Sequence, residues 1–304
     1  MMRFEEIRQR LAAPLIAAPM FLVSGPDLVL ASCRTGVIGA FPTANARTSD
    51  ELADWLTRIR AERAADSGAV AANLIVHRSN ARMRDDLSVL LKQPTDIVIT
   101  SVGSPAEVVE PLHAVGSLVF ADIASVRHAR RAIDAGVDGL ILLSAGAGGQ
   151  TGWANPFAFV RSVREFYAGP LVLAGGISDG VALRAALALG ADLAYMGTKF
   201  LATVESMAPD GHKRMVAASS LDDIVLTSAI TGLPTSMLGP SLHALGIDPD
   251  TLHHDGAAVS ALLAQTDITH AWHDLYSAGH STGGVHDVIN VAELVERTIK
   301  EFQG

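Results

Sequence analysis

A single cysteine, Cys33, in 304 residues excludes an internal disulfide framework and any metal cluster built from cysteines. Charge is sparse too. Asp, Glu, Lys and Arg make up 18% of the chain against 49% hydrophobic residues, which favours a large buried core and argues against disorder. A basic excess is missing: the formal net charge is −9. That speaks against a general nucleic-acid or anionic-membrane binder, although backbone amides can still build a local phosphate site. There is no run of eighteen apolar residues, and "MMRFEEIRQR" lacks the basic-then-apolar start of a signal peptide. The expectation is a cytoplasmic protein with neither membrane nor nucleic-acid partners. Eleven histidines are present, but none shows an H-x-x-x-H or similar metal spacing with a carboxylate partner. No metal is expected.

What the chain does have is a rhythm. Eight short apolar runs recur: "PLIAAPM" (14–20), "GVIGAF" (36–41), "AVAANLIV" (69–76), "DIVITSV" (96–102), "LVFADIA" (118–124), "GLILLSA" (139–145), "PLVLAGG" (170–176) and "LAYMGTKFL" (193–201). Continuous rather than alternating apolar character marks strands buried on both faces, as in a parallel sheet wrapped by helices. Helix-like segments fill the gaps at 26–33, 49–65, 82–91, 105–114, 125–136, 156–167 and 179–190. Starts are legible in "TSDELADWL", where Thr48 or Ser49 can cap, and in "SPAEVVEPL", where Pro105 suits a first turn. "AIDAGVDGLIL" and "ALALGADLAYM" close two units alike, with a helix-stopping glycine and then Asp138 or Asp192 before the next strand.

Eight such units in about 200 residues fit a TIM barrel better than an open doubly wound sheet. Residues 203–285 break the rhythm and read as a mostly helical insertion after the eighth strand, a cap beside the barrel mouth. A last amphipathic helix, 288–302, returns to the barrel wall. The organisation expected is therefore a barrel from 1–202 and 286–304 and a cap from 203–285, with no low-complexity linker between independent domains.

In such a barrel, chemistry sits at the C-terminal ends of the strands. The first strand ends in "APMF", the third in "NLIVH", the fifth in "ADIAS". The sixth, seventh and eighth end in "SAGAGGQTG", "AGGISDG" and "MGTKF". Glycine doublets after the sixth and seventh, with Gly197 and Thr198 after the eighth, leave open amides for an anion with no Cβ in the way. The barrel's usual phosphate site lies after strands seven and eight. Asn73, at the end of a buried strand, needs partners for its amide, which favours a ligand-facing role. Taken singly, each is also what a tight turn or a core methionine would give. Their combination at the right strand ends is far more specific.

"APMF", "AANLIV", the "GAGGxxG" turn, "AGGISDG", "ALALGADLAYMGTKFLAT" and the late "SAGHSTGG" together resemble the nitronate monooxygenase family, FMN-dependent TIM barrels also called 2-nitropropane dioxygenase-like. The resemblance runs from about residue 12 to 300. It implies FMN, with Pro19, Met20 and Phe21 along the isoalloxazine ring and Asn73 at the flavin's polar edge or the substrate. It puts Gly148 and Gly149 close to the ring, and the phosphate on Gly175, Gly176, Gly197 and Thr198. Asp122 stands where several relatives carry a lysine, and is taken as a cofactor contact. A carboxylate there disfavours an anionic reduced flavin unless it is protonated or turned toward the ribityl chain.

The family's usual turn reads "GGHxG", its histidine serving as acid or base; here that position is Gln150. Glutamine cannot abstract a proton from a neutral nitroalkane, but a nitronate is already an anion and needs no such base. Gln150 can still donate a hydrogen bond. His280 in "SAGHSTGG" stands where relatives often carry glutamine, so Gln150 and His280 are the candidate catalytic pair, swapped if they face each other. His212 and the pair His253–His254 are expected at the surface. The function implied is an FMN-dependent oxidoreductase that acts on a small nitronate or related anion with dioxygen. Open beside it stand an NAD(P)H-using flavin reductase acting on a quinone or enoyl thioester, and a non-redox phosphate-binding barrel. A homo-oligomer also stays open.

Overall fold

The computed structural model describes residues 4–230, 232–249, 252 and 275–304; His253 and His254 lie outside them. A short first helix, α1 (Phe4–Gln9), precedes the barrel and buries Ile7 beneath it. The strands follow as β1 (Leu15–Ala17), β2 (Ile38–Pro42), β3 (Val70–Ile75), β4 (Ile97–Ser101), β5 (Leu118–Ile123) and β6 (Gly139–Leu143). After a two-residue strand, β7 (Gly149–Gln150), outside the barrel come β8 (Leu171–Ala174) and β9 (Leu193–Met196). The eight longer strands are all parallel and close in chain order, β9 pairing with β1 through Leu15–Ala194 and Ala17–Met196. That is the TIM barrel expected.

Alternation along each strand separates two cores. Ile16, Ile38, Ala71, Ile99, Phe120, Ile141, Val172 and Leu193 point inward and fill the barrel. Their neighbours, such as Ala72, Val98, Val119, Leu140 and Leu173, face the surrounding helices. Those helices are α2 (Pro26–Arg34), α3 (Ser49–Glu62), α4 (Met83–Lys92), α5 (Ala106–Ala114), α6 (Val126–Asp134), α7 (Pro156–Arg164) and α8 (Gly180–Leu189). Thr48 caps α3 as the sequence indicates, accepting from the Glu51 amide, and Asp179 caps α8 by accepting from the Ala182 amide. Each cap satisfies a donor with no partner inside its own helix and is worth about 1 kcal/mol. Cys33 is buried, and burial pushes its thiol up to about 11, which disfavours the reactive thiolate.

The aspartates that precede strands do more than stop helices. Asp138 accepts from the Val119 amide and from His113 Nε2, and Asp192 from the Leu171 amide and Arg164. Asp96 repeats the pattern with the Val70 amide and Arg63. Each carboxylate ties the start of one strand to the start of the strand before it and to the end of the helix that leads into that earlier strand, at the end of the barrel away from the mouth. Such placement belongs to stability.

The eighth apolar run suggests strand as far as 201. The strand ends at Met196, and α9 (Thr198–Leu201) turns away from it. Beyond lie α10 (Asp210–Ala218), β10 (Ile224–Thr227), β11 (Thr235–Leu238), α11 (Gly239–Ala244) and a 3-10 turn at His280–Gly284. The last helix, α12 (Val291–Gln303), packs on α8 and α2. The mostly helical insertion expected from sequence omits the β10–β11 hairpin, which binds β7 as a third antiparallel strand. Described residues of 203–285 share an apolar cluster with the barrel's Val23 and Leu201, through Val216, Leu238, Ala278 and Val285. No helix among the described residues is long and apolar enough to cross a membrane.

Candidate active site

The loop after β1 carries Pro19, Met20 and Phe21, and it is held rather than loose. Asn45, in the turn after β2, accepts from the Leu22 amide at 2.9 Å and donates to the carbonyls of Met20 and Ser24. Ser24 Oγ accepts from the Met20 amide and donates to the Ala18 carbonyl. These bonds hold Leu22 at φ +60, a conformation that costs a branched residue about 1 kcal/mol or more. Pro19 and Met20 are half-buried and Phe21 is 59% exposed.

Around the mouth, inward-facing positions turn polar. Asn73 on β3 is buried, its Oδ1 3.4 Å from Ser101 Oγ on β4. On β5, two residues beyond Phe120, Asp122 keeps the inward parity. Its Oδ1 is shut off from solvent without a hydrogen-bond partner, and desolvation pushes the carboxyl up to about 7. The Tyr195 hydroxyl on β9 is likewise buried and unpartnered.

The glycine turn after β6 meets the late "SAGH" segment directly. The His280 amide donates to the Gly146 carbonyl at 2.9 Å, and the Gly279 amide to Thr198 Oγ1 at 2.9 Å. A Cβ on Gly148 would stand 2.8 Å from the Gly279 nitrogen, so only glycine lets the two backbones approach this closely. Gln150, in β7, is exposed and pairs through its backbone with Thr235. The imidazole of His280 lies over Gly146. Gln150 and His280 thus flank one turn, and no hydrogen bond joins their side chains among the described residues.

After β8, Gly175 and Gly176 take φ +119 and +72, conformations rarely open to other residues. A Cβ on Gly175 would strike Ser144 Oγ, whereas the space around Gly176 is open. Gly197 lies beside Met20: a Cβ added there would stand 3.5 Å from the Met20 sulfur. Thr198 Oγ1, having accepted from Gly279, keeps its own proton to donate. Lys199 turns its amine to the Gly284 carbonyl. The turn therefore offers amides and a hydroxyl rather than a cation. Such a cradle, next to a partly orphaned polar floor, fits a phosphate-bearing cofactor at the mouth.

His212, expected at the surface, is buried. Its ring stacks on Tyr276 at 4.3 Å and its Nε2 bonds the Ser277 carbonyl; burial lowers its pKa to about 4. It anchors the chain just before Ala278–His280. Sequence reasoning does not single out Asn45, Tyr195 or His212 as parts of the site, since each gains its role from a distant segment. A surface cleft of about 220 Å³ lined by Arg60, Arg63 and Gln93 lies outside the barrel near the strand starts, away from these groups. Among the described residues no His, Cys, Asp and Glu group could hold a metal.

A closed parallel barrel with glycine turns after its last two strands defines the class: a TIM barrel whose mouth is lined by open backbone amides. A nitronate monooxygenase family model matches residues 61–301, and the chain belongs to that family, whose members are in general flavin-dependent oxidoreductases. A dehydrogenase of Mycobacterium tuberculosis, named for (3aS,4S,5R,7aS)-5-hydroxy-7a-methyl-1-oxo-octahydro-1H-indene-4-carboxyl-CoA, is 30% identical over 75% of this chain and 64% of its own length. The chain thus spans less than two thirds of that relative. The nitroalkane oxidase of Streptomyces ansochromogenes is 27% identical with a TM-score of 0.80, covering 98% of each chain. FabK of Thermotoga maritima, at 24% identity and a TM-score of 0.85 over 100% of this chain and 97% of its own, shares the fold.

Proposed function

We propose that the protein is an FMN-dependent oxidoreductase that oxidises a small nitronate or a related anion with dioxygen. The observation that carries this reading is the left-handed Gly175–Gly176 turn beside Gly197 and Thr198, in a chain of the nitronate monooxygenase family. The amides of Gly175, Gly176 and Thr198 hold the phosphate. Pro19 and Met20, on the loop fixed by Asn45, support the ring together with Phe21, and Asn73 and Asp122 meet its polar edge. Gly148 and Gly149 leave room beside it. Bound FMN supplies the two-electron acceptor. Gln150 donates a hydrogen bond to an oxygen of the substrate or cofactor, and the turn supplies no base at that position.

The test is steady-state turnover of a preformed nitronate and its neutral nitroalkane between pH 6 and 9. The unmodified protein should use the nitronate and barely touch the nitroalkane, because only the latter needs removal of a carbon-bound proton, and a general base is worth about 10²–10⁴ in rate. Gln150→His should raise nitroalkane activity relative to nitronate. Gln150→Ala should weaken both, by about fivefold for one lost hydrogen bond of roughly 1 kcal/mol. Efficient nitroalkane use by the unmodified protein would move the base to His280. The carboxyl-CoA relative favours a second reading, in which the substrate is a CoA thioester. Rapid bleaching of the flavin by NADH in air, without nitronate turnover, would favour a reductase.

A further inference from the structure

Two buried polar atoms in the barrel interior have no partner: Oδ1 of Asp122 and the hydroxyl of Tyr195. They come from strands on different sides of the barrel, β5 and β9, and both residues follow the inward parity set by Leu118–Phe120 and by Leu193. Tyr195 is 8% exposed. Orphaned buried polar groups are rare because each forfeits its bonds to water, at about 1–3 kcal/mol apiece. One here is a donor and the other an acceptor. They are near enough for the charge of Asp122 to raise the Tyr195 phenol, along with its burial, yet they form no direct bond. Ordered water in the barrel floor could give both groups the partners that the protein itself does not supply. Asp122 as a whole is only partly buried, and its second oxygen is not among the atoms shut off from solvent without a partner.

We propose that Asp122 and Tyr195 form a proton-holding pair in the floor of the mouth. Tyr195 is linked through ordered water to the inner oxygen of Asp122, and the neutral carboxyl donates its outer proton to an acceptor atom of the bound flavin. The proposal rests on the flavin reading above. The groups packed around Asp122 do not compete for this role. Neither β4 nor β6, its two neighbours, carries a titratable residue, and Tyr195 is the group across the barrel that couples to it. Burial, which pushes the Asp122 carboxyl up to about 7, keeps the neutral form well populated up to about that pH. The pair also answers the difficulty a carboxylate poses beside an electron-rich flavin: a neutral acid donates where a carboxylate would repel.

The full-length chain, freed of flavin and titrated with FMN between pH 7 and 9, tests it. This window lies above the second ionisation of the phosphate, near 6. If binding requires the neutral acid, affinity is greatest below the free protein's pKa and falls as pH rises, by about ten- to a hundredfold across the window. Asp122→Asn, which keeps a donor and cannot ionise, should bind with nearly constant affinity. Tyr195→Phe should bind more weakly at every pH while keeping the slope, since the proton resides on Asp122. A flat profile for the unmodified chain, or an equal slope in Asp122→Asn, would overturn the proposal while leaving the flavin reading intact. Unchanged affinity in Tyr195→Phe would remove Tyr195 from the pair. No FMN binding at any pH would overturn both.

Discussion

His212 shows how a single residue's environment sets its chemistry. Buried against Tyr276, with Nε2 donating to a carbonyl, it is neutral in the folded protein and resists protonation down to about pH 4. The unfolded chain takes up that proton near the ordinary 6.5. Between those values the unfolded state binds more protons, so stability falls as pH drops from about 6.5 to 4, by roughly 2–3 kcal/mol. Urea denaturation at pH 7 and 4.5 should show this loss. His212→Gln, which keeps a donor and cannot charge, should be less sensitive to the change. Equal pH dependence in the two proteins would assign the loss elsewhere. The expectation that His212 is exposed fails because the ring that covers it, Tyr276, and the carbonyl it bonds, 65 residues away, leave no mark on the local sequence. Asn45 escapes notice for the same reason: its partners Met20, Leu22 and Ser24 lie one loop back. Tyr195 sits inside an apolar run, where a buried hydroxyl looks like one more core residue.

At the scale of elements, the barrel strands are legible because each is buried on both faces and bounded by turn residues or caps, as in Asp138 before β6 and Asp192 before β9. The errors fall where that signal ends. The run at 193–201 stays apolar past Met196, although Gly197 begins a helical turn. β10 is only half-buried and four residues long, too short and mixed to be distinguished by periodicity. The described part of 203–285 contributes Val216, Leu238 and Ala278 to a cluster that needs Val23 and Leu201 of the barrel. We propose that 203–285 is a cap that folds only on the barrel. Expressed alone, it should show no cooperative thermal transition; a cooperative transition would make it an independent domain.

For the whole molecule, the division of labour along the barrel axis is the main physical result. The strand starts are tied by the Asp96, Asp138 and Asp192 carboxylates, each with an amide and a basic side chain. The strand ends instead carry left-handed glycines, a strained Leu22 and two orphaned polar atoms. Stability sits at one end and unsatisfied groups at the other, as a binding mouth requires. The glycine doublets, Asn73 and Asp122 are visible in sequence because their positions follow from the strand count. How Gln150 and His280 stand to each other is not, since it depends on the 278–280 segment lying against Gly146–Gly148.

The claim that this mouth holds FMN is tested most directly by the visible spectrum and flavin content of the purified full-length protein, loaded with FMN where needed. One FMN per chain is expected in the unmodified protein. Gly176→Leu should bind far less, because a side chain there strains the left-handed turn and fills the space its amide faces. A colourless protein that takes up no FMN, or full occupancy in Gly176→Leu, would contradict the placement.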